Sequence, residues 1–276
     1  MLFQITNTCY EECPHCMDCS KPNEPHASLE LLPYVANFFR FLDPHILVLS
    51  GGEPTTHPDF VRICEYFGFA GIPFTITSNG TWVFDENKRK QFEHVVRLPN
   101  YVGAQIYTDK RFYRSYDKIK EHKEYFESLK GVVFEDTNLG MAMMDLGRAK
   151  THAPAQQIID EQNHAMGCVN STLIAHQSKT IQAFRNNVRM ALNRMFCKPL
   201  VDLNGNVHMS ESWLCPSVGN VKDDHMMEIF KNMQQFTPCK RCRNYDKFMK
   251  SDNPQHIAAR MILGLRSISR IRERGC

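Results

Sequence analysis

The chain has 276 residues, which suits one barrel-sized domain with a small appendage and leaves room for a sizeable core. Lys and Arg number 33 against 30 Asp and Glu, so nothing in the charge demands a nucleic-acid partner. The 11 cysteines come without a secretory signal and without any run of about 18 apolar residues, so no membrane span is expected; a reducing cytoplasm is, with cysteines as metal ligands or free thiols.

Residues 1–5 read as a first strand. It runs into Thr6-Asn7-Thr8-Cys9-Tyr10-Glu11-Glu12-Cys13-Pro14-His15-Cys16, a C-x3-C-x2-C loop. Thiolates this close together can wrap one small inorganic centre. Structural zinc usually takes four ligands in two separated pairs, and ferredoxin-type clusters take four cysteines at other spacings. Cys9, Cys13 and Cys16 would leave one iron of a [4Fe-4S] cube without a protein ligand, open to a substrate or cofactor. On the loop alone, zinc and an oxidised thiol cluster stand as alternatives.

A linker at 21–27 leads to Ser28, an N-cap for a helix running to about Leu42 on the stripe Leu31, Leu32, Val35, Phe38, Phe39 and Leu42. Residues 46–49 form an apolar second strand, as a parallel strand covered on both faces should be. A second helix follows on Phe60, Ile63, Cys64 and Phe67, with Cys64 as a small core residue. Residues 74–77 give a third strand, 84–96 a charged third helix and 102–108 a fourth strand. Tyr113, Tyr116, Ile119, Tyr125, Phe126 and Leu129 mark a fourth helix, and either 132–134 or 139–143 supplies a fifth strand. Residues 154–162 and 180–195 look helical, with 171–175 between them as a sixth strand. The alternation argues for parallel βα units, in a barrel or a doubly wound sheet.

The pattern changes after Cys197. Val201-Asp202-Leu203-Asn204-Gly205-Asn206-Val207 alternates around Asn-Gly, a hairpin signal. Cys197 precedes it and Cys215 follows; a helix at 226–233 leads to Cys239-Lys240-Arg241-Cys242. Four thiolates from two separated pairs could hold one metal centre, and by itself this is also a zinc-ribbon pattern. Residues 258–274 are basic and amphipathic, suited to a helix packed on the barrel with a solvated basic face, with membrane-surface or partner binding as the alternative.

Taken together, the motifs resemble the radical S-adenosylmethionine (radical SAM) superfamily. The C-x3-C-x2-C loop follows strand one. Ser50-Gly51-Gly52-Glu53-Pro54 follows strand two, like that family's Gly-Gly-Glu-Pro motif, and Thr77-Ser78-Asn79-Gly80 follows strand three. The resemblance implies a partial (β/α)6 TIM-like barrel over 1–196. Residues 197–250 are similar to the twitch form of the SPASM/twitch extension, a β-hairpin and helix around an auxiliary cluster, and 251–276 would be a basic C-terminal helix. Leu146-Gly147-Arg148-Ala149 is similar to a segment found after strand five in these subfamilies.

The implied cofactors are a [4Fe-4S] cluster on Cys9, Cys13 and Cys16, SAM at its open iron, and one auxiliary [4Fe-4S] cluster on Cys197, Cys215, Cys239 and Cys242. Gly51 and Gly52 would let backbone approach the SAM amino group, and Glu53 would pair with it. Ser78 and Asn79 would reach the ribose or carboxylate, and His15 stands where the family usually has an aromatic beside the adenine. Tyr107 and Asp109 are candidates for SAM or substrate contact, and Arg148 for a carboxylate. Cys168 is a candidate hydrogen-atom donor, and Cys19 a bystander. The expected activity is hydrogen abstraction from a peptide or small polar metabolite for oxidative modification, dehydrogenation or cross-linking, fed by a flavodoxin or ferredoxin. A radical epimerase using Cys168 and a zinc-binding scaffold are the rivals.

Overall fold

The structure, a computed structural model, describes residues 1–136, 147–152, 154–155, 199–209 and 216–235. Strands and helices alternate as β1 (Leu2–Thr6), α1 (Leu32–Leu42), β2 (Leu47–Gly51), α2 (Phe60–Phe69), β3 (Phe74–Ser78), α3 (Glu86–Val95), β4 (Tyr101–Thr108), α4 (Tyr116–Glu121), α5 (Lys123–Ser128) and β5 (Val132–Asp136). The strands pair in parallel in the order β5-β4-β3-β2-β1. This is the mixed α/β array of parallel βα units that the alternation implies, consistent with the partial TIM-like barrel that the resemblance implies, and each strand's C-terminal end faces the same rim.

Side-chain alternation divides the sheet into two faces. Phe3, Leu49, Ile76, Ala104 and Val132 stand in one row across the five strands. All are buried, and Phe3 meets Phe67 of α2 edge-on at 6.2 Å, so this row faces the helices. One position further along, Gln4 pairs with Ser50 and Thr77 with Gln105; these fall on the opposite, concave face.

The helices hold because their apolar stripes meet that first row. Ser28 caps the start of the first helical segment, its hydroxyl accepting from the Glu30 amide, and Pro33 sits in the first turn of α1 where it costs no hydrogen bond. Phe92 of α3 stacks on Trp82 with centroids 4.0 Å apart. Where the spacing predicts one fourth helix, the structure has two, α4 and α5, interrupted at His122. Ile119 and Phe126, one on each helix, are both fully buried.

The Asn-Gly hairpin forms, and its placement is new. β6 (Leu200–Val201) lies parallel to the free edge of β1, β7 (Asn206–His208) returns antiparallel, and β8 (Ser217–Asn220) follows before α6 (Met226–Gln235). The hairpin therefore prolongs the barrel sheet and gives β1 a partner on both sides. The sixth-strand segment 171–175, the alternative fifth strand 139–143 and the basic segment 251–276 lie outside the described residues, as do Cys168, Cys197, Cys215, Cys239 and Cys242. Among the described residues no helix is long and apolar enough to cross a membrane.

Candidate metal and cofactor site

The cysteine loop leaves the C-terminal end of β1, the central strand of the extended sheet. It is anchored by backbone, with Asn7 N donating to Pro25 O at 2.9 Å, Cys9 N to Lys21 O at 3.1 Å and Cys16 N to Cys13 O at 3.0 Å. Cys9 and Cys13 are buried and Cys16 is half-buried, whereas Cys19 is exposed and Cys64 lies in the core of α2.

The β2 motif meets this loop directly. A Cβ on Gly51 would lie 2.1 Å from Thr6 O, and one on Gly52 would lie 2.4 Å from Thr8 O. Instead, Gly52 N donates to Thr6 O and Glu53 N to Thr8 O, each at 2.8 Å. Within the chain itself, then, the glycines are needed so that the β2 loop can lie against the cysteine loop. Glu53 is fully buried. Its carboxylate accepts from Thr55 N and Oγ1, from Ser78 Oγ at 3.0 Å and from Asn79 N at 2.7 Å. It ties the β2 and β3 motifs together, although burial pushes its pKa above the usual carboxylate range against the pull of those donors.

Asn79 completes the convergence: its Nδ2 donates to Cys9 Sγ at 3.5 Å. The strand-four candidates sit nearby with occupied groups. Asp109 is fully buried and its carboxylate accepts from the Arg111 backbone, Nε and Nη2 at 2.9, 3.0 and 2.7 Å. Tyr107 donates to Gln105 Oε1 at 2.9 Å. Arg148, the candidate for a carboxylate, donates to two carbonyls of the cysteine loop, from Nε to Cys13 O at 2.8 Å and from Nη1 to Ser20 O at 2.9 Å.

His15 does sit in an aromatic setting, 4.8 Å from the ring of Phe112 and 5.7 Å from that of Tyr113. Its Nδ1 is buried without a hydrogen-bond partner, and burial lowers its pKa to about 4. Sequence reading assigned Tyr113 only to a helix stripe and passed over Phe112. Yet burial, then the nearby Cys13 and Cys9 thiols, hold the Tyr113 hydroxyl well above its ordinary pKa. The signal that could have found them is position: both follow Asp109, at the end of β4 beside the rim.

The thiols themselves are poised for a cation. Burial pushes Cys9 up to about 11, and Cys13 higher, with each raised further by its neighbours' charge. Two such buried thiolates become affordable only against positive charge, which an iron–sulfur cube would provide. Among the described residues no three His, Cys, Asp or Glu groups close on a single ion. By chemistry the donor set fits: three cysteines on one short loop are the residues that would hold an iron–sulfur cluster.

Comparison with known proteins agrees with this arrangement. Residues 3–134 match the family model described as "Radical SAM superfamily". The "AdoMet-dependent heme synthase" of Methanosarcina barkeri is 33% identical over 87 residues, 30% of this chain and 25% of that one. The "Fe-coproporphyrin III synthase" of the same organism is 28% identical over 134 residues, 48% of this chain and 30% of that one. The matched segment thus spans less than a third of either curated relative. Among solved structures, anSMEcpe with bound AdoMet and a Cp18Cys peptide superposes with a TM-score of 0.51 at 14% identity, over 99% of this chain and 98% of that one. Streptococcus suis SuiB bound to the precursor peptide SuiA gives 0.50 at 13% identity, over 92% and 73%. These two likenesses establish a shared fold.

Proposed function

We propose, on the match of residues 3–134 to the Radical SAM superfamily model, that the chain is a radical SAM enzyme that cleaves SAM reductively and takes a hydrogen atom from a peptide or small polar substrate for oxidative modification. The observation that carries this reading is the convergence of three strand-end motifs on one loop of three thiols, through Gly52 N to Thr6 O, Glu53 to Asn79 N and Asn79 Nδ2 to Cys9 Sγ. Cys9, Cys13 and Cys16 would hold the cluster. When bound, the cluster and SAM supply a low-potential electron and a primary carbon radical able to attack an unactivated C–H bond. His15, Phe112 and Tyr113 offer an aromatic wall for the adenine, and Asn79 a donor at the cluster's edge. Gly51, Gly52, Glu53 and Ser78 hold that rim in shape.

The concave face bears on the substrate. Gln4, Ser50, Thr77, Gln105, Tyr107 and Glu135 line it by strand register, and Gln4 Oε1 is buried there without a partner. Such a surface suits a substrate rich in hydrogen-bonding groups, a peptide or polar metabolite. A porphyrin substrate is the second reading, favoured by the names of the two curated relatives. An auxiliary cluster would take Cys197, Cys215, Cys239 and Cys242; in chain order the hairpin β6–β7 and helix α6 stand between these cysteines. Cys168 stays the candidate donor for an epimerase, and a flavodoxin or ferredoxin the electron source.

The test is anaerobic reconstitution with iron and sulfide counted, then dithionite, SAM and an assay for 5′-deoxyadenosine. About eight irons, four for each cluster, with nucleoside formation lost in Cys13→Ala, supports the reading. Zinc in stoichiometric amount and no nucleoside would make the chain a zinc scaffold. Nucleoside formation stimulated by an iron porphyrin and not by polar peptides would favour the second reading.

A further inference from the structure

The Gly147–Arg148 segment is joined to the cysteine loop by three hydrogen bonds, all onto loop carbonyls. Arg148 N donates to Cys16 O at 3.0 Å, Nε to Cys13 O at 2.8 Å and Nη1 to Ser20 O at 2.9 Å. Gly147 makes the approach sterically open. It has φ +55°, and a Cβ there would meet the carbonyl oxygens of both Cys16 and Met17 at 2.4 Å. The same segment therefore grips the residue that closes the motif, the residue in its middle and the loop's exit. A guanidinium carries donors in a rigid fork, and its charge does not titrate, so it can satisfy two separate carbonyls and remain a fixed cation.

We propose that Arg148 is a positioning residue for the SAM-binding cluster: it clamps the cysteine loop into the shape that receives iron, and its fixed charge, partly buried beside Cys13, favours the reduced cluster. The proposal rests on the radical SAM reading of the loop. Reduction adds one negative charge to the cluster, and a nearby cation stabilises the more negative state, raising the potential; charge and hydrogen bonding around clusters are the protein's usual means of setting it. The role differs from binding the SAM carboxylate, because the guanidinium is turned onto the loop carbonyls.

Three variants separate the two contributions. Arg148→Gln keeps a donor and removes the charge. Arg148→Lys keeps the charge, but its compact ammonium cannot bridge Cys13 O and Ser20 O as a planar fork does. Arg148→Ala removes both. Each is reconstituted in the full chain alongside the wild type, checked by circular dichroism, and read by iron content, by redox titration of the reduced-cluster EPR signal and by SAM affinity. The expected result is severalfold lower iron retention in Arg148→Ala, a potential shifted more negative in Arg148→Gln, and a near-wild-type potential with looser iron retention in Arg148→Lys. An Arg148→Gln protein with wild-type potential and iron content overturns the proposal. So does an Arg148→Lys protein that holds iron normally but binds SAM weakly, since that assigns Arg148 to the carboxylate. A wild type that assembles no cluster overturns the radical SAM reading of the loop, and the proposal with it, before any variant is compared.

Discussion

Glu53 is a buried carboxylate whose oxygens are taken up by donors from two neighbouring loops. Replacing it with Gln puts an amide N–H₂ where Thr55, Ser78 or Asn79 already donates, so a buried donor loses its acceptor. Glu53→Gln should cost about 1–3 kcal/mol in urea denaturation, apart from any effect on SAM. His15 works in the opposite direction. Its Nδ1 is buried and unpartnered, and its folded-state pKa of about 4 lies below the ordinary 6.5. The unfolded chain therefore binds the proton more readily, so His15's contribution is complete above about pH 6.5 and declines as pH falls toward 4. His15→Phe keeps the ring against Phe112 and removes the polar atom. It should leave stability at neutral pH unchanged or higher, and flatten its fall between pH 6.5 and 4; denaturation midpoints across that range check both.

The hairpin of β6 and β7 gathers its turn on one carboxylate, Asp202. Asp202 Oδ1 accepts from Asn204 N at 2.9 Å and Asn206 N at 2.8 Å, and Oδ2 from Asn206 Nδ2 at 2.9 Å and His208 Nε2 at 3.4 Å. Burial alone would raise its pKa, but His208 and the Asn206 and Asn204 donors outweigh it and hold the carboxyl below its ordinary value of 3.8. A depressed carboxylate stabilises the fold above its unfolded pKa and loses that stabilisation as pH falls through its folded one. Asp202→Ala should cost about 0.5–1.5 kcal/mol at neutral pH, from the lost hydrogen bonds across the turn. It should also remove this residue's share of the acid sensitivity below about pH 4, as read from acid-titration curves. Because β6 hydrogen-bonds β1, loosening this hairpin should be felt at the strand that launches the cysteine loop.

At the scale of the whole molecule, one cross-strand row carries the core. Phe3 is fully buried at the centre of the sheet and packs edge-on against Phe67. Phe3→Ala should cost about 3–5 kcal/mol, measurable as a shift in the urea midpoint with little change in slope. The same alternation, by fixing Phe3, Leu49, Ile76 and Ala104 toward the helices, turns Gln4, Ser50, Thr77 and Gln105 to the concave side.

Much of this was legible beforehand. C-x3-C-x2-C, Gly51-Gly52-Glu53 and Ser78-Asn79 each stand at the end of an apolar run, and local periodicity dictated both the alternating strands and helices and the rim on which the motifs sit. Ser28 as cap and Asn204-Gly205 as hairpin were readable because caps and tight turns are specified within a few residues. Sequence alone did not reveal that the two glycines make room for the carbonyls of Thr6 and Thr8, that Glu53 serves Ser78 and Asn79, or that Arg148 reaches back across more than a hundred residues to Cys13. Nor did it place the hairpin on the edge of β1. Those are contacts between segments far apart in the chain, and no local pattern of polarity encodes which distant carbonyl a buried donor will find; only packing the parallel strands side by side decides it.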